Sequence, residues 1–429
     1  MDNAAGEQSR WRLLSRYYTG MNSSKIWIVA VIALVGCRRS PNAAAPPLAT
    51  DCNAPSRDAS VTVSTPGNPF QALPSADGCW VFISITRGAD NASEIAVYRR
   101  ANGTLSLVRE TRLAGSPAGM ALTSNGKLLV VADADRVAFL DTDRVIAGHS
   151  GAVLGYLIDT AAKGRVYANV TPDDKFAFIA DENSASVSVI DLSKARASGF
   201  AASSTVGKIP TGAAPIAMIF SPDRKFVYIT SQRAPASYGW PIECKREGNN
   251  PANDVTPVNP EGAIHIADLG RAESDPAHSI VASAPAGCSP VRLVLSPDGS
   301  RAYVTARNSN ALHVFDTGKL AGDPKNALIA RVPVGTAPVG VAVVNGGRQV
   351  IVTNSNRFAG STSDGQSLTV IDAGRVSGGA GAVVGSVPAG AFPRELRVTP
   401  DGRTLVLTNF GSRTVQMIDL ARLPASPGR

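Results

Sequence analysis

One short reversal signal recurs seven times and limits what this chain can fold into. It reads SADG at 75–78, TSNG at 123–126, TPDD at 171–174, SPDR at 221–224, SPDG at 296–299, VNGG at 344–347 and TPDG at 399–402. The successive offsets are 48, 48, 50, 75, 48 and 55 residues. Proline presets φ for the first turn position, and Asp with Gly tolerates the backbone that reverses a hairpin. Each turn leads into a short β-branched or aromatic run: VFIS at 81–84, LLVVA at 128–132, FAFIA at 176–180, FVYIT at 226–230, AYVT at 302–305, VIVT at 350–353 and LVLT at 405–408. A further strand then ends in Asp141, Asp191, Asp268, Asp316, Asp372 or Asp419, while the first unit ends its run IAVYR at Arg99. An Asp there accepts hydrogen bonds from the turn that follows. These six acids are read as structural, not as a metal or catalytic set.

Four short strands per unit, repeated seven times, is the pattern of a β-propeller. The predicted fold is therefore all-β and seven-bladed. Composition agrees: 40 Gly and 29 Pro among 429 residues, 44% hydrophobic and 18% charged, is turn-rich and too apolar for disorder. The last unit stops after its third strand, and an orphan strand, ASVTVS at 59–64, precedes the first. That strand is predicted to complete the C-terminal blade and so remove two sheet edges. The segments SPDGSRAYVTARNSNALHVFDT (296–317) and TPDGRTLVLTNFGSRTVQMID (399–419) resemble the YVTN-repeat, or YncE-like, propellers and the related lactonase-type seven-bladed propellers. The resemblance covers residues 58–422. It implies the fold and allows a lactone hydrolase activity.

The N-terminus reads as an address. Lys25 precedes an eleven-residue apolar run, 26–36, too short to span a bilayer, which needs ~20 residues, and right for a signal-peptide core. It ends in LVGC, similar to the bacterial lipobox, with Cys37 as the lipid acceptor. Residues 1–36 are thus expected to be a leader, with Met21 a plausible start of its own. Residues 37–58, rich in Pro and Ala, form a tether, and 59–429 form the propeller. Arg38, where Asp would favour the inner membrane in lipoproteins, implies the outer membrane, facing either the periplasm or the cell surface. The expected partners are the membrane through that anchor and a small molecule or envelope protein. The chain is expected to be monomeric.

In an oxidising compartment the remaining Cys52, Cys79, Cys244 and Cys288 allow three pairings. Cys52–Cys79 and Cys244–Cys288 are favoured because each pair is close in the propeller; four unpaired, buried thiols are the alternative.

The net charge of +8 is scattered, with no basic run, which excludes nucleic acid as a partner. Four dispersed histidines (His149, His265, His278, His313) leave no metal centre, and no GxSxG, HExxH, CxxC or Walker loop is present. No cofactor is expected. His265 and His313 sit among apolar neighbours and read as core residues.

A site is sought where the repeats differ. Gly212/Pro215, Gly287/Pro290, Gly335/Pro338 and Gly390/Pro393 precede inner strands; Pro69 and Pro117 keep only the proline, and Arg165 replaces it in the third unit. Gln71, Tyr167, Arg292, Arg394 and Glu395 follow these positions. Thr86, Asp133, Asp181, Glu182, Gln232, Arg307, Asn354 and Asn409 end the second strands or follow them. All are predicted to meet at one mouth of the tunnel, where arginines suit a carboxylate or phosphate. The insertion at 231–263 is predicted on the same face, with Tyr238 and Trp240 offering aromatic surface and Cys244 tying it to Cys288. Binding of a small ligand or envelope partner is the first reading. A metal-independent lactonase is the second, with Glu395 or Glu182 as base beside Arg292, Arg165 or Arg307. A sensor or assembly factor accompanying a redox enzyme is the third.

Overall fold

The computed structural model describes residues 52–54, 56–86, 93–246, 256–358 and 366–426. Residues 1–36, read above as a leader, Cys37 and most of the segment read as a tether lie outside them. The seven predicted repeats form seven four-stranded antiparallel sheets, or blades. Within each, the inner strand and second strand are joined by the predicted turn. In those turns the leading hydroxyl donates to the acid two residues on, as in Thr171 to Asp173 at 2.7 Å and Ser221 to Asp223 at 2.6 Å. Two such hydroxyls and a backbone N–H hold the Asp298 carboxyl down at about 2.

Each third strand ends where its aspartate was placed. Asp141, Asp191 and Asp268 accept from the backbone N–H three residues on, and Asp316, Asp372 and Asp419 from that two residues on. They cap one-turn helices such as Thr142–Ala147, Leu192–Ala197 and Leu269–Ser274. The helices were not read from the sequence: at six residues they are too short to show a 3.6-residue pattern.

Blades pack face to face, which is why their strands are apolar on both sides. Phe82, Phe139, Phe178 and Phe315 are fully buried between them.

The ring closes as predicted. Ser60–Ser64 pairs antiparallel with Thr414–Asp419, in the register Ser60 to Ile418 through Ser64 to Thr414. The seam is reinforced by Arg100, 1% exposed. Its guanidinium donates to Asn53 at 3.0 Å, Asp401 at 3.0 Å and Thr404 at 2.9 Å, joining blade one, blade seven and the N-terminal segment. Beside it lies the disulfide Cys52–Cys79, with a Cα separation of 5.0 Å.

The second disulfide is Cys244–Cys288, with a Cα separation of 5.4 Å. The insertion leaves blade four after Phe226–Arg233, makes a small hairpin of Ile242–Lys245 and Pro257–Pro260, and returns at Ala263–Asp268. Cys288 belongs to the Gly-x-x-Pro loop 287–290, so the insertion lies on that face. Two disulfides belong to an oxidising, extracytoplasmic compartment. Among the described residues, no helix is long and apolar enough to cross a membrane.

Candidate functional site: a charged plug in the propeller tunnel

The inner strands line the tunnel, and a shared bulge decides what they present. In blade five Pro290 pairs with Ala306 and Leu293 with Val304, so Val291 and Arg292 together oppose Thr305. The same bulge falls at 69–72, 117–120, 215–218, 338–341 and 393–396. The bulge frees a backbone N–H, and the last hydroxyl of the second strand takes it. Thr305 accepts from Arg292 N–H at 3.1 Å and donates to the Val339 carbonyl of the next blade at 2.7 Å. Ser84, Thr230 and Thr408 do the same for their own blades. These hydroxyls tie neighbouring blades together. Blades two and three have Ala132 and Ala180 there. In blade two the side-chain carbonyl of Gln71 takes the N–H of Met120, the residue after the bulge.

The glycines of the Gly-x-x-Pro loops also have a steric cause. A Cβ at Gly335 would stand 2.5 Å from Asn354, and one at Gly390 would stand 2.9 Å from Asn409. The residue ending each second strand fills that space.

One residue after the proline position, blades one to six contribute Phe70, Ala118, Val166, Ile216, Val291 and Val339, members of a single apolar cluster. Blade seven places Arg394 there. Its guanidinium lies 3.7 Å from the Phe70 ring centroid, with Phe392 at 5.4 Å and Phe410 at 5.6 Å. Burial, then the neighbouring Arg292 and Arg357, pull Arg394 down to about 9.

One residue further, Arg292 Nε donates to Glu395 Oε1. Arg397 Nη1 donates to Glu395 Oε2 at 3.1 Å, and Arg397 Nη2 to the Tyr167 hydroxyl at 2.6 Å. The Arg292 guanidinium also stacks on the Tyr167 ring at 4.7 Å. These residues come from blades three, five and seven, which are not neighbours. The network therefore crosses the axis and plugs the tunnel. Glu395 is 2% exposed and Arg292 4%. Burial pushes the Glu395 carboxyl up, but Arg292 and then Arg397 outweigh it, and the net shift is downward.

Arg292, Arg394 and Arg397 thus surround the Glu395 carboxylate, and Arg357 and Glu182 also act on Arg394. Gln71 Nε2, Arg292 Nη2 and Arg394 Nε are buried with no hydrogen-bond partner. All three orphans in this wall are donors.

The other predicted residues are placed differently. Arg307 Nη2 donates to Gln232 at 2.7 Å and Gln232 to Glu182 at 3.5 Å, a chain across blades five, four and three on the mouth rim. Asn354 spends its amide on Ser367 and Thr369, and Asn409 on Thr414 and Gln416, each within its own blade. Arg165 pairs inside blade three with Asp181, 3.6 Å away and wholly buried, where the other blades have proline. Burial raises Asp181 to about 6 and likewise Asp133. Tyr238 bonds Ser283 at 3.0 Å and His265 at 3.3 Å, over the outer strands of blade four, with Trp240 at 5.1 Å. The described part of the insertion touches blades four and five. His265 Nε2 accepts from Gly212 N–H at 3.1 Å, and burial lowers the ring to about 4, the state of a satisfied core histidine.

Arg397 and the three phenylalanines were missed. Arg397 carried a readable signal: its counterparts four residues after the proline position are Leu73, Ala121, Asn169, Ile219, Val294 and Ala342, so it is the one charged residue in that column.

No protein-family model matches the chain, and no curated protein matches its sequence. Solved structures do. The chain is similar to hydrazine synthase of Kuenenia stuttgartiensis, at 18% identity and a TM-score of 0.60, covering 84% of this chain and 97% of that one. It is similar to the periplasmic gluconolactonase of Pseudomonas aeruginosa, at 21% identity and a TM-score of 0.56, covering 76% and 86%. A putative 6-phosphogluconolactonase of Bacteroides fragilis matches at 14% identity and a TM-score of 0.57, covering 85% and 92%. At these identities the likeness concerns the fold. Fold and site together define the class: a disulfide-bearing, extracytoplasmic seven-bladed propeller with neighbours among the lactonase-type propellers.

Proposed function

We propose that this propeller binds a small anionic ligand, a carboxylate or phosphate, in the tunnel beneath the face carrying the Gly-x-x-Pro loops and the insertion. One observation carries the reading: Arg292, Arg394 and Arg397 cluster about Glu395, and beside them Gln71 Nε2, Arg292 Nη2 and Arg394 Nε are buried donors with no partner. A buried donor without a partner costs roughly 1–3 kcal/mol, more when charged, and an anion relieves it. Arg292 and Arg394 would hold the ligand, with Gln71 beside them and the Phe70, Phe392 and Phe410 rings excluding water.

Hydrolysis of a lactone is the second reading, supported by the lactonase-titled neighbours. The site favours binding over it. Both oxygens of Glu395 are occupied by arginines and its carboxyl is shifted down, whereas a general base for water needs a value near the working pH. The YVTN-type repeats and the LVGC segment support a lipid-anchored YncE-like protein attached through Cys37.

The test is calorimetric titration of the mature domain with malonate, gluconate, phosphate and neutral glucose. Binding of an anion but not of glucose, weakened about ten-fold or more by Arg394→Gln, is expected. Equal binding of glucose, or no anion binding, overturns the reading. Turnover of sugar or homoserine lactones, lost in both Glu395→Gln and Arg292→Ala, would establish the second. Incorporation of a fatty-acid analogue, lost in Cys37→Ser, tests the anchor.

A further inference from the structure

The tunnel has a second end. The inner strands run from the Gly-x-x-Pro loops toward the reversal turns, and beyond the ionic plug they enclose a cavity of about 290 Å³. Its rim includes Ala76, Thr123 and Gly126 of the turns themselves, so it opens on the face opposite the proposed anion site. We propose that this cavity is a separate binding site for a small molecule with an apolar body and one carboxylate.

The walls determine the body. Leu73, Met120 and Leu122 line one side, from blades one and two. Among the described residues that line the cavity none is acidic, so it offers no counter-charge to an amine, while Arg397 repels one. Asn169 is also in the lining, held by one bond from each end of its amide: Nδ2 donates to the Met218 carbonyl at 3.3 Å, and Oδ1 accepts from Val170 N–H at 3.0 Å. The volume is at the small end of ligand pockets, ~300 Å³, and suits a benzoate-sized molecule.

The floor determines the head group. Arg397 reaches in from blade seven and meets Tyr167 of blade three. A guanidinium has five N–H donors. The two on Nη1 go to Glu395 and to the Leu396 carbonyl at 2.9 Å, and one on Nη2 goes to the Tyr167 hydroxyl. The Nε donor and the second Nη2 donor are left. Both are charged donors, the kind that pairs with a carboxylate. Tyr167 accepts from Arg397, so its own hydroxyl proton is available as a third donor. The orphaned donors that carry the first proposal, on Gln71, Arg292 and Arg394, play no part here. The two sites are separated by the plug and can fail independently.

The test is titration of the mature domain with benzoate, and with benzylamine and benzamide as matched probes. Benzoate is expected to bind and the other two are not. Ala76→Trp caps the rim from an exposed position without touching the plug, and is expected to weaken benzoate about ten-fold or more. Tyr167→Phe removes one donor and is expected to cost roughly three- to ten-fold. Arg394→Gln is expected to leave benzoate binding unchanged while it weakens malonate binding at the other end about ten-fold or more. Unaltered thermal unfolding of Ala76→Trp excludes misfolding as the cause. Failure of benzoate to bind, equal binding of benzylamine, or benzoate binding lost in Arg394→Gln but kept in Ala76→Trp overturns the proposal.

Discussion

Replacing Glu395 by Gln keeps the shape of the plug and removes the carboxylate that Arg292 and Arg397 bond. In the native protein that group accepts from Arg292 and Arg397 and is 2% exposed. Removing one partner of a buried ion pair costs roughly 3–5 kcal/mol, because the other charge stays buried. Here two guanidiniums are left, with Arg394 adding repulsion. Unfolding entropy near 2.1 cal/mol/K per residue gives roughly 0.8 kcal/mol/K for a domain of this size, so Tm is expected to fall by about 4–6 °C. The variant also creates a stronger demand for an external anion. A ligand at a hundred times its Kd returns about 2.7 kcal/mol, or roughly 3 °C. Scanning calorimetry in a buffer free of multivalent anions, with and without malonate, measures both effects. Asp143→Asn, which breaks an exposed pair with Lys127, is the control and is expected to change stability by less than ~0.5 kcal/mol. A Glu395→Gln protein that melts at or above the wild-type temperature, and is indifferent to malonate, would refute the view that these arginines need a counter-charge.

Three further outcomes follow from other parts of the ring. Burial raises the Asp133 carboxyl from 3.8 to about 6, against a smaller opposing pull from Arg136. The folded state therefore binds that proton more tightly than the unfolded chain, and the stabilisation is lost as pH rises through about 6. Asp133→Asn is expected to stabilise by up to ~3 kcal/mol at pH 8 and to be nearly neutral at pH 4; urea unfolding giving the same change at both pH values contradicts this. Thr305→Val leaves the Arg292 N–H and Val339 carbonyl unpartnered and is expected to cost roughly 1–3 kcal/mol, with Thr305→Ser costing less, by denaturant titration. A chain beginning at residue 66 lacks the closing strand and exposes the edge of Thr414–Asp419, so it is expected to self-associate on size exclusion; a monomeric, cooperatively folded product would argue against the closure as a stabilising device.

The fold was legible because its signals are local and repeated. Pro-Asp-Gly turns and strand-final aspartates act within a few residues, and seven copies average out exceptions such as VNGG and the Arg at 99. The two disulfides followed once the blade order was set. The site was half legible. Gln71, Tyr167, Arg292, Arg394 and Glu395 were singled out because they break the repeat just after the proline position, and the bulge aims Tyr167, Arg292 and Glu395 across the axis. Arg165, Asn354 and Asn409 break it equally, yet they turn into their own blades. What separates the two groups is the bulge register and the space under the loop glycines, neither of which a linear spacing contains. The ring of hydroxyls was hidden for another reason. Ser84, Thr230, Thr305, Thr353 and Thr408 sit at the ends of apolar runs, where a Thr reads as an ordinary β-branched residue.

The position of the first disulfide has a mechanical consequence. Cys52 precedes the closing strand and is bonded to Cys79 at the start of blade one's second strand. A pull on the chain upstream of residue 52 therefore passes through sulfur into blade one. The segment 53–78, with the closing strand inside it, becomes a slack loop that bears no load. Hydrogen bonds between the first and last strands would unzip under such tension if they carried it in series; the covalent bypass spares them, and the wheel stays shut while it is tugged.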